Sequence, residues 1–383
     1  MKSIYYWSPS LSKNIATNYA VINSAYSINK YSKKYKASII NACGEFNYFK
    51  TDIKKKEIDL INLSKFNIIN LLPKLGKLNS RFSYMIIFIY SFFSLKKMIK
   101  NNKPDFLFVH LITSLPLLLL YLFNFKTKFI LRISGYPKMN FFRLFLWKIA
   151  SKKLSLIICP TETTRNLIVK LGIIDESKVK TIEDPIIDIS KIIKKKNSGM
   201  SINILNKDYF LAVGRLTKQK NFLFLIKAFK KILDKDKNIN LVIAGEGELY
   251  NPISSFIKQH KLEKNIHLVG HQENIYPFFK NAKCFIMSSL WEDPGFVLIE
   301  SFFLKTPIIS SDCPNGPKEL IADKENAFKF TNNNENSFLK SFYEFKNFDN
   351  KNLNKLKKNG LLLSKKYTIF NHFKSLDKIL SIV

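Results

Sequence analysis

Glu292 and Glu300 stand eight positions apart, and the stretch between them has the clearest capacity for chemistry in this sequence. It reads as strand (Cys284 to Ser288), loop (Ser289 to Pro294), helix (Gly295 to Leu304) and a second strand (Pro307 to Ser311). Pro294 is tolerated near a helix start because the first N–H groups have no intrahelical partner. Gly295 lets another group approach the backbone closely. The N–H groups of Phe296 and Val297 then lie at the positive end of the helix dipole, an anion site suited to a phosphate. Glu300 falls about 7.5 Å further along the axis, where a carboxylate can accept hydrogen bonds from sugar hydroxyls. Taken alone, the same residues also describe an ordinary α/β helix with one surface glutamate.

A second strand–turn–helix unit lies about seventy residues upstream. The apolar run Tyr209 to Val213 leads into Gly214-Arg215-Leu216-Thr217-Lys218-Gln219-Lys220-Asn221, and a helix follows from Phe222. The chain has five arginines among its 62 basic residues. An arginine in a turn where lysine is the usual cation suggests forked contact with phosphate oxygens, although a solvated turn charge would look the same.

Together these segments resemble the family 4 retaining glycosyltransferases. The resemblance rests on Gly214-Arg215-Leu216 with Lys220-Asn221, on Val242 to Leu249 containing Gly245-Glu246-Gly247, on Leu268-Val269-Gly270, and on Glu292 followed by Glu300. They occur in the family's order and spacing across roughly residues 209–320. The resemblance implies an α/β chain of the GT-B fold, two Rossmann-like domains with a cleft between them. It places the acceptor-side domain at 1–200, with a returning C-terminal helix at 367–383, and the nucleotide-sugar domain at 201–366.

A length of 383 residues suits two domains, and 46% hydrophobic content suits full cores. Cys43, Cys159, Cys284 and Cys313 are far apart and lack metal-ligand spacing, as expected of reduced thiols in a cytosolic protein. Met1 to Pro9 is too short and polar for a signal peptide and reads as a first strand. The formal net charge is +33, with most of the excess in the first half. Such a surface suits nucleic acid or an anionic membrane. No basic–aromatic module, zinc spacing or recognition helix supports nucleic acid.

Two apolar stretches bear on the membrane question. Phe82 to Leu95 is 14 uncharged residues, too short to span and read as a buried or interfacial helix. Phe106 to Phe125 is 20 uncharged residues, interrupted by His110, Thr113, Ser114 and Pro116. It reads as a buried parallel strand (Phe106 to Val109), a turn, and a helix from Pro116. Asn140 to Lys153 is amphipathic. Its apolar face of Phe141, Leu144, Phe145 and Ile149 either packs on the sheet or lies on a membrane. Lys191 to Ser201 reads as the interdomain linker. Asp234-Lys235-Asp236 spells the Asp-x-Asp of metal-dependent transferases, but its place at a polar helix end reads as solvated.

His110 closes a parallel strand at the edge where open α/β sheets place ligands. The resemblance implies that it faces the donor sugar; a histidine satisfied in a core turn is the alternative. Leu131 to Pro137 resembles the acceptor-side segment, with Arg132 placed to hold an acceptor phosphate and Ser134 beside it. Lys13 and Asn14 stand where the family has Gly-Gly near the donor diphosphate and acceptor, and a loop bearing side chains cannot approach a phosphate as glycine does. By the same resemblance His271 begins a loop near the base, and Gly214 and Asn221 belong to the donor site.

The chemistry implied is retaining transfer of a hexose or N-acetylhexosamine from a nucleotide sugar. The loop Ser311 to Leu320 resembles bacterial members that use UDP-linked sugars in surface-polysaccharide assembly. Arg215, Lys220 and the N–H groups of Phe296 and Val297 would stabilise the leaving diphosphate without a metal or other cofactor. Glu300 would bind ribose and Glu292 the donor sugar. A basic, apolar first domain suits a lipid-diphosphate-linked saccharide and a peripheral position on the cytoplasmic face of an anionic membrane. A nucleotide-sugar epimerase of similar fold and a basic nucleic-acid-binding protein are the alternatives.

Overall fold

The computed structural model describes residues 1–11, 15–64, 66–73, 77–135, 137, 139–199 and 208–383. They form two compact units, Met1–Ile186 with Ile369–Val383, and Ile187–Thr368. Lys13 and Asn14 lie outside the described residues.

The first unit holds seven strands: β1 (Lys2–Trp7), β2 (Tyr35–Asn41), β3 (Asp59–Asn62), β4 (Phe106–Val109), β5 (Lys128–Arg132), β6 (Leu156–Cys159) and β7 (Val179–Thr181). Their order is β3-β2-β1-β4-β5-β6-β7, and every pairing is parallel. A parallel sheet is covered on both faces, so its strands are continuous apolar runs. Successive side chains feed opposite cores. Leu107, Val109 and Leu131 pack with Leu115, Leu119 and Trp147 on one side. Phe106, Phe108 and Ile130 pack with Val21, Ile28 and Leu376 on the other.

Leu376 belongs to the last helix, Ile369–Leu380, which lies in this unit. His372 pins that helix. Its Nδ1 is 2.7 Å from the Glu183 carbonyl oxygen, which can only accept, so Nδ1 carries the proton. Nε2 therefore accepts from the Ser24 hydroxyl at 2.8 Å. Burial holds the ring neutral, with its pKa lowered to about 3.

The second unit has six strands: β8 (Tyr209–Val213), β9 (Asn240–Ala244), β10 (Ile266–Leu268), β11 (Cys284–Met287), β12 (Ile308–Ser311) and β13 (Phe328–Phe330). Their order is β10-β9-β8-β11-β12-β13, again with every pairing parallel. Strand order reverses between β1 and β4 in the first unit and between β8 and β11 in the second. Open parallel sheets take ligands at such switch points, outside the carboxyl ends of the strands.

Several details depart from expectation. The units divide at Ile186/Ile187, before residue 200. The segment read as a linker contains a helix, Ile189–Lys195, whose start is capped by the Asp188 carboxylate accepting from Lys191 N–H. The Lys195 carbonyl oxygen accepts from the Asn274 amide, which ties this helix to the second unit. The apolar stretch from Phe82 is part of a longer helix, Lys77–Asn102. Its portion Asn79–Asn102 is long and apolar enough to cross a membrane by length and composition. One face of it is buried in the unit's core through Ile87, Leu95, Met98 and Ile99, and Phe82, Met85, Ile89 and Phe93 are exposed on it. The helix Phe141–Ser151 buries Trp147 and Ala150, whereas Phe141, Leu144 and Phe145 stay exposed. Of the two readings of this stripe, packing on the sheet is the one its exposure disfavours. The four cysteines are buried.

Candidate active site

In the second unit the sheet order sets β8 beside β11, which brings together loops distant in sequence. The Leu290 N–H donates to the Gln219 carbonyl at 2.8 Å, and the Gln219 amide donates to the Trp291 carbonyl at 2.8 Å. Ser288 Oγ donates to the Lys220 carbonyl at 2.9 Å. Ser311 Oγ, at the end of β12, donates to the Ser289 carbonyl at 2.7 Å. Asn332, after β13, donates to the Leu290 carbonyl at 3.0 Å. Loops following four adjacent strands are therefore held in one hydrogen-bonded edge.

Lys220 and Glu292 meet at this edge. The Lys220 ammonium is ion-paired with Glu292 Oε1, and the side chains are only 13% and 7% exposed. Ser289 Oγ donates to the same carboxylate oxygen at 2.6 Å. The aliphatic stem of Lys220 lies against Gly214, where an added Cβ would sit 3.0 Å from Lys220 Cδ. Glu292 in turn lies beside Gly295, at 3.5 Å from the position a Cβ would take there. Gly295 is the N-cap of the helix Phe296–Phe303 with φ of +96°, a left-handed conformation that favours glycine. Lys220, Glu292 and the leading N–H groups of Phe296 and Val297 thus share one edge of one sheet. The buried Cys313 thiol, near the same pair, is pushed up to about 12 by burial and stays protonated.

The glycines beside this edge allow backbone to pack on backbone. A Cβ on Gly245 would lie 1.9 Å from the Gly214 carbonyl oxygen. Gly214 N–H donates to Ala244 at 3.0 Å and Gly245 N–H donates to Gly270 at 2.8 Å, extending the ladder past the strand ends. Arg215 is exposed on the loop after β8, and among the described residues its guanidinium has no hydrogen-bond or ion-pair partner. Asn221 has a structural task. It caps the helix Phe222–Leu233 with φ of +55°, and its amide donates to Asn333 at 3.0 Å. His271 is exposed after β10, its N–H 3.4 Å from Glu246 Oε1.

Glu300 is partly buried on the Phe296–Phe303 helix. Burial raises its carboxyl pKa to about 7, with the Lys191 charge opposing the rise. Asp236 is ion-paired with Lys346 and caps the Asn238 N–H, so the Asp-x-Asp string is a helix-end feature. Among the described residues no three His, Cys, Asp or Glu side chains converge to hold a metal ion.

The first unit carries a cavity of about 780 Å³. His110 and Ser134 both line it, from the ends of β4 and β5. His110 is 6% exposed, and its buried Nε2 has no hydrogen-bond partner among the described residues. Burial, then the charge of Arg132 and the nearby His372, holds its pKa well below the usual value, so the ring is neutral.

Arg132 does not have the role expected of it. It is buried and ion-paired with Asp184. Its guanidinium also donates to the carbonyls of Ile133 and Ile158 at 3.3 Å and Ile182 at 3.1 Å. With these donors committed, Arg132 is a clamp joining the ends of β5, β6 and β7. Arg143, on the Phe141–Ser151 helix, also lines this cavity and is exposed. Arg143 is one of the basic residues of the amphipathic stretch Asn140 to Lys153. Its position directly after Phe142 in an apolar helix was the available signal. The Lys220–Glu292 pairing left no local trace, because its partners are 72 positions apart.

The fold is that of HepE from Anabaena, a structure containing UDP and glucose, with a TM-score of 0.73, 15% identity and full coverage of both chains. That likeness defines the class as GT-B, two doubly wound parallel sheets in one chain. Residues 194–362 match the model of the glycosyl transferases group 1 family. The likeness to the group 1 glycosyltransferases thus lies in the second unit, and the family 4 type fits it. An uncharacterized glycosyltransferase of Methanocaldococcus jannaschii is 31% identical over 61% of this chain and 62% of its own length. A UDP-Gal:alpha-D-GlcNAc-diphosphoundecaprenol alpha-1,3-galactosyltransferase of Escherichia coli is 29% identical over 60% of each chain. The chain thus spans about three fifths of the length of these curated relatives.

Proposed function

We propose that this protein transfers a hexose or N-acetylhexosamine from a UDP-sugar to a hydroxyl of a lipid-diphosphate-linked saccharide, with retention at the anomeric carbon. The observation that carries the reading is the edge of the second unit. There a partly buried ammonium, a glutamate and a glycine-led helix start converge at a topological switch point. The named donor and acceptor of the Escherichia coli relative support the choice of UDP and of a lipid diphosphate.

In the reaction the bond from the anomeric carbon to the diphosphate oxygen breaks, and the acceptor oxygen bonds that carbon on the same face. The acceptor proton leaves with the diphosphate. Negative charge grows on the departing oxygen, so electrostatic stabilisation is the main demand. Lys220, Arg215 and the N–H groups of Phe296 and Val297 meet it without a metal ion. Glu292 accepts hydroxyls of the donor sugar while fixing Lys220. Glu300 accepts from the ribose. His110, neutral in its buried setting, serves as a hydrogen-bonding group rather than as a charged acid.

The exposed apolar faces of the Lys77–Asn102 and Phe141–Ser151 helices, with the basic excess of the chain, support peripheral attachment to an anionic cytoplasmic membrane surface. A thermal-shift panel of nucleotide sugars tests the donor assignment, with stabilisation expected from UDP-linked sugars and retained in chelator. No stabilisation by any nucleotide sugar refutes the reading, and loss in chelator restored by manganese refutes the metal-free part.

A further inference from the structure

Two helices give the cavity of about 780 Å³ in the first unit a largely apolar wall. Tyr84, Met85 and Phe88 line it from one helix, and Phe142, Leu146 and Trp147 from another. Its volume of about 780 Å³ lies within the range of small-molecule sites, about 300–1,000 Å³. Met85 and Phe142 both line the cavity and stand exposed, at 52% and 81%. The lining is therefore continuous with the exposed apolar faces carrying Phe82, Ile89 and Phe93 and carrying Phe141 and Phe145. A fully water-soluble ligand has no need of that continuity. A ligand whose tail stays in a bilayer while its head enters the protein does need it.

Charge complements this shape. Arg143 lines the same cavity from an exposed position next to Phe142. A guanidinium is suited to forked contact with phosphate oxygens. Arg132, the other arginine at the cavity, is committed to Asp184 and three carbonyls. The geometry points to this cavity as the seat of a lipid diphosphate, with phosphate oxygens on Arg143 and the first apolar carbons of the tail among Phe88, Leu146 and Trp147. The inference rests on the lipid-linked acceptor proposed above and assigns its anion and tail to named residues. It makes the two exposed helix faces the entry path for the tail.

Farnesyl diphosphate is the probe, titrated with UDP present throughout so that the donor edge is occupied, and read by tryptophan fluorescence. Saturable change in the wild type is expected, with loss of the signal in Trp147→Phe. Arg143→Ala and Phe88→Glu are each expected to weaken binding at least tenfold. Farnesol, which lacks the diphosphate, should bind at least tenfold more weakly, and inorganic diphosphate should not compete at equal concentration. Full competition by inorganic diphosphate, or wild-type affinity in both variants, overturns the inference. So does attachment to phosphatidylglycerol vesicles with no response to farnesyl diphosphate, which would leave a membrane-binding surface alone. Melting shifts with UDP on the same variants separate the two readings. Retained UDP stabilisation with no farnesyl diphosphate binding defeats the lipid site and leaves the donor assignment standing.

Discussion

Replacing Lys220 by alanine should separate the structural role of the Lys220–Glu292 pair from its part in catalysis. The pair is largely buried, with side chains 13% and 7% exposed. Removing the ammonium leaves the Glu292 carboxylate with Ser289 as its remaining donor among the contacts described. Breaking a buried pair by deleting one partner costs about 3–5 kcal/mol. The hydroxyl that remains argues for the lower end, about 3 kcal/mol, or a fall in melting temperature of about 6–12 °C for a unit of this size. Catalysis loses a cation at the leaving group as well, and deleting one such stabiliser costs about a hundredfold to a thousandfold in turnover.

The double replacement Lys220→Met with Glu292→Leu removes both charges and should recover most of the melting temperature, because no uncompensated charge stays buried. Its turnover should stay at or below that of Lys220→Ala. Melting curves and sugar-transfer rates on the three proteins make the comparison. Recovery of turnover along with stability in the double variant would refute the catalytic assignment. Near wild-type turnover in Lys220→Ala would refute it more directly.

Arg215→Ala should lower turnover about a hundredfold, about 3 kcal/mol of transition-state stabilisation, with the melting temperature unmoved because the side chain is exposed. An unchanged rate in that variant counts against the loop after β8. Gly245→Ala should destabilise the second unit by more than about 1 kcal/mol, since its Cβ would lie 1.9 Å from a backbone oxygen; a wild-type denaturation midpoint would contradict the close packing. For Glu300, the folded pKa of about 7 lies above the ordinary value of 4.5. The folded state therefore binds more protons between those values, and its stability falls as pH rises through about 7. Denaturation at pH 5 and pH 8 should show Glu300→Gln gaining stability relative to wild type at pH 8, and equal differences at both pH values would sink the assignment.

Much of the fold could be read locally. Apolar runs such as Tyr209–Val213 and Phe106–Val109 are strands because both faces are covered, and Gly295 ahead of an apolar run marks a helix start. These signals lie within a few residues of one another. The roles of Arg132, Arg143 and Asn221 were less legible, because a side chain's partners depend on which strand ends are neighbours. Arg132 meets Asp184, 52 positions away, only because β5, β6 and β7 are adjacent. The boundary at Ile186 was hidden for a similar reason, since a lysine-rich helix resembles a linker until its contacts with the second unit are known.

The strand–turn–helix units, the glycines at their turns and a set of cations and carboxylates suited to a nucleotide sugar are all local features of the chain. Tertiary structure alone decided that Lys220 neutralises Glu292, that Arg132 is a clamp, and that Arg143 stands at an apolar cavity. The physical reason is range. Backbone conformation and burial follow from neighbouring residues, whereas an ion pair or a cavity wall needs the sheet order that brings distant loops to one edge.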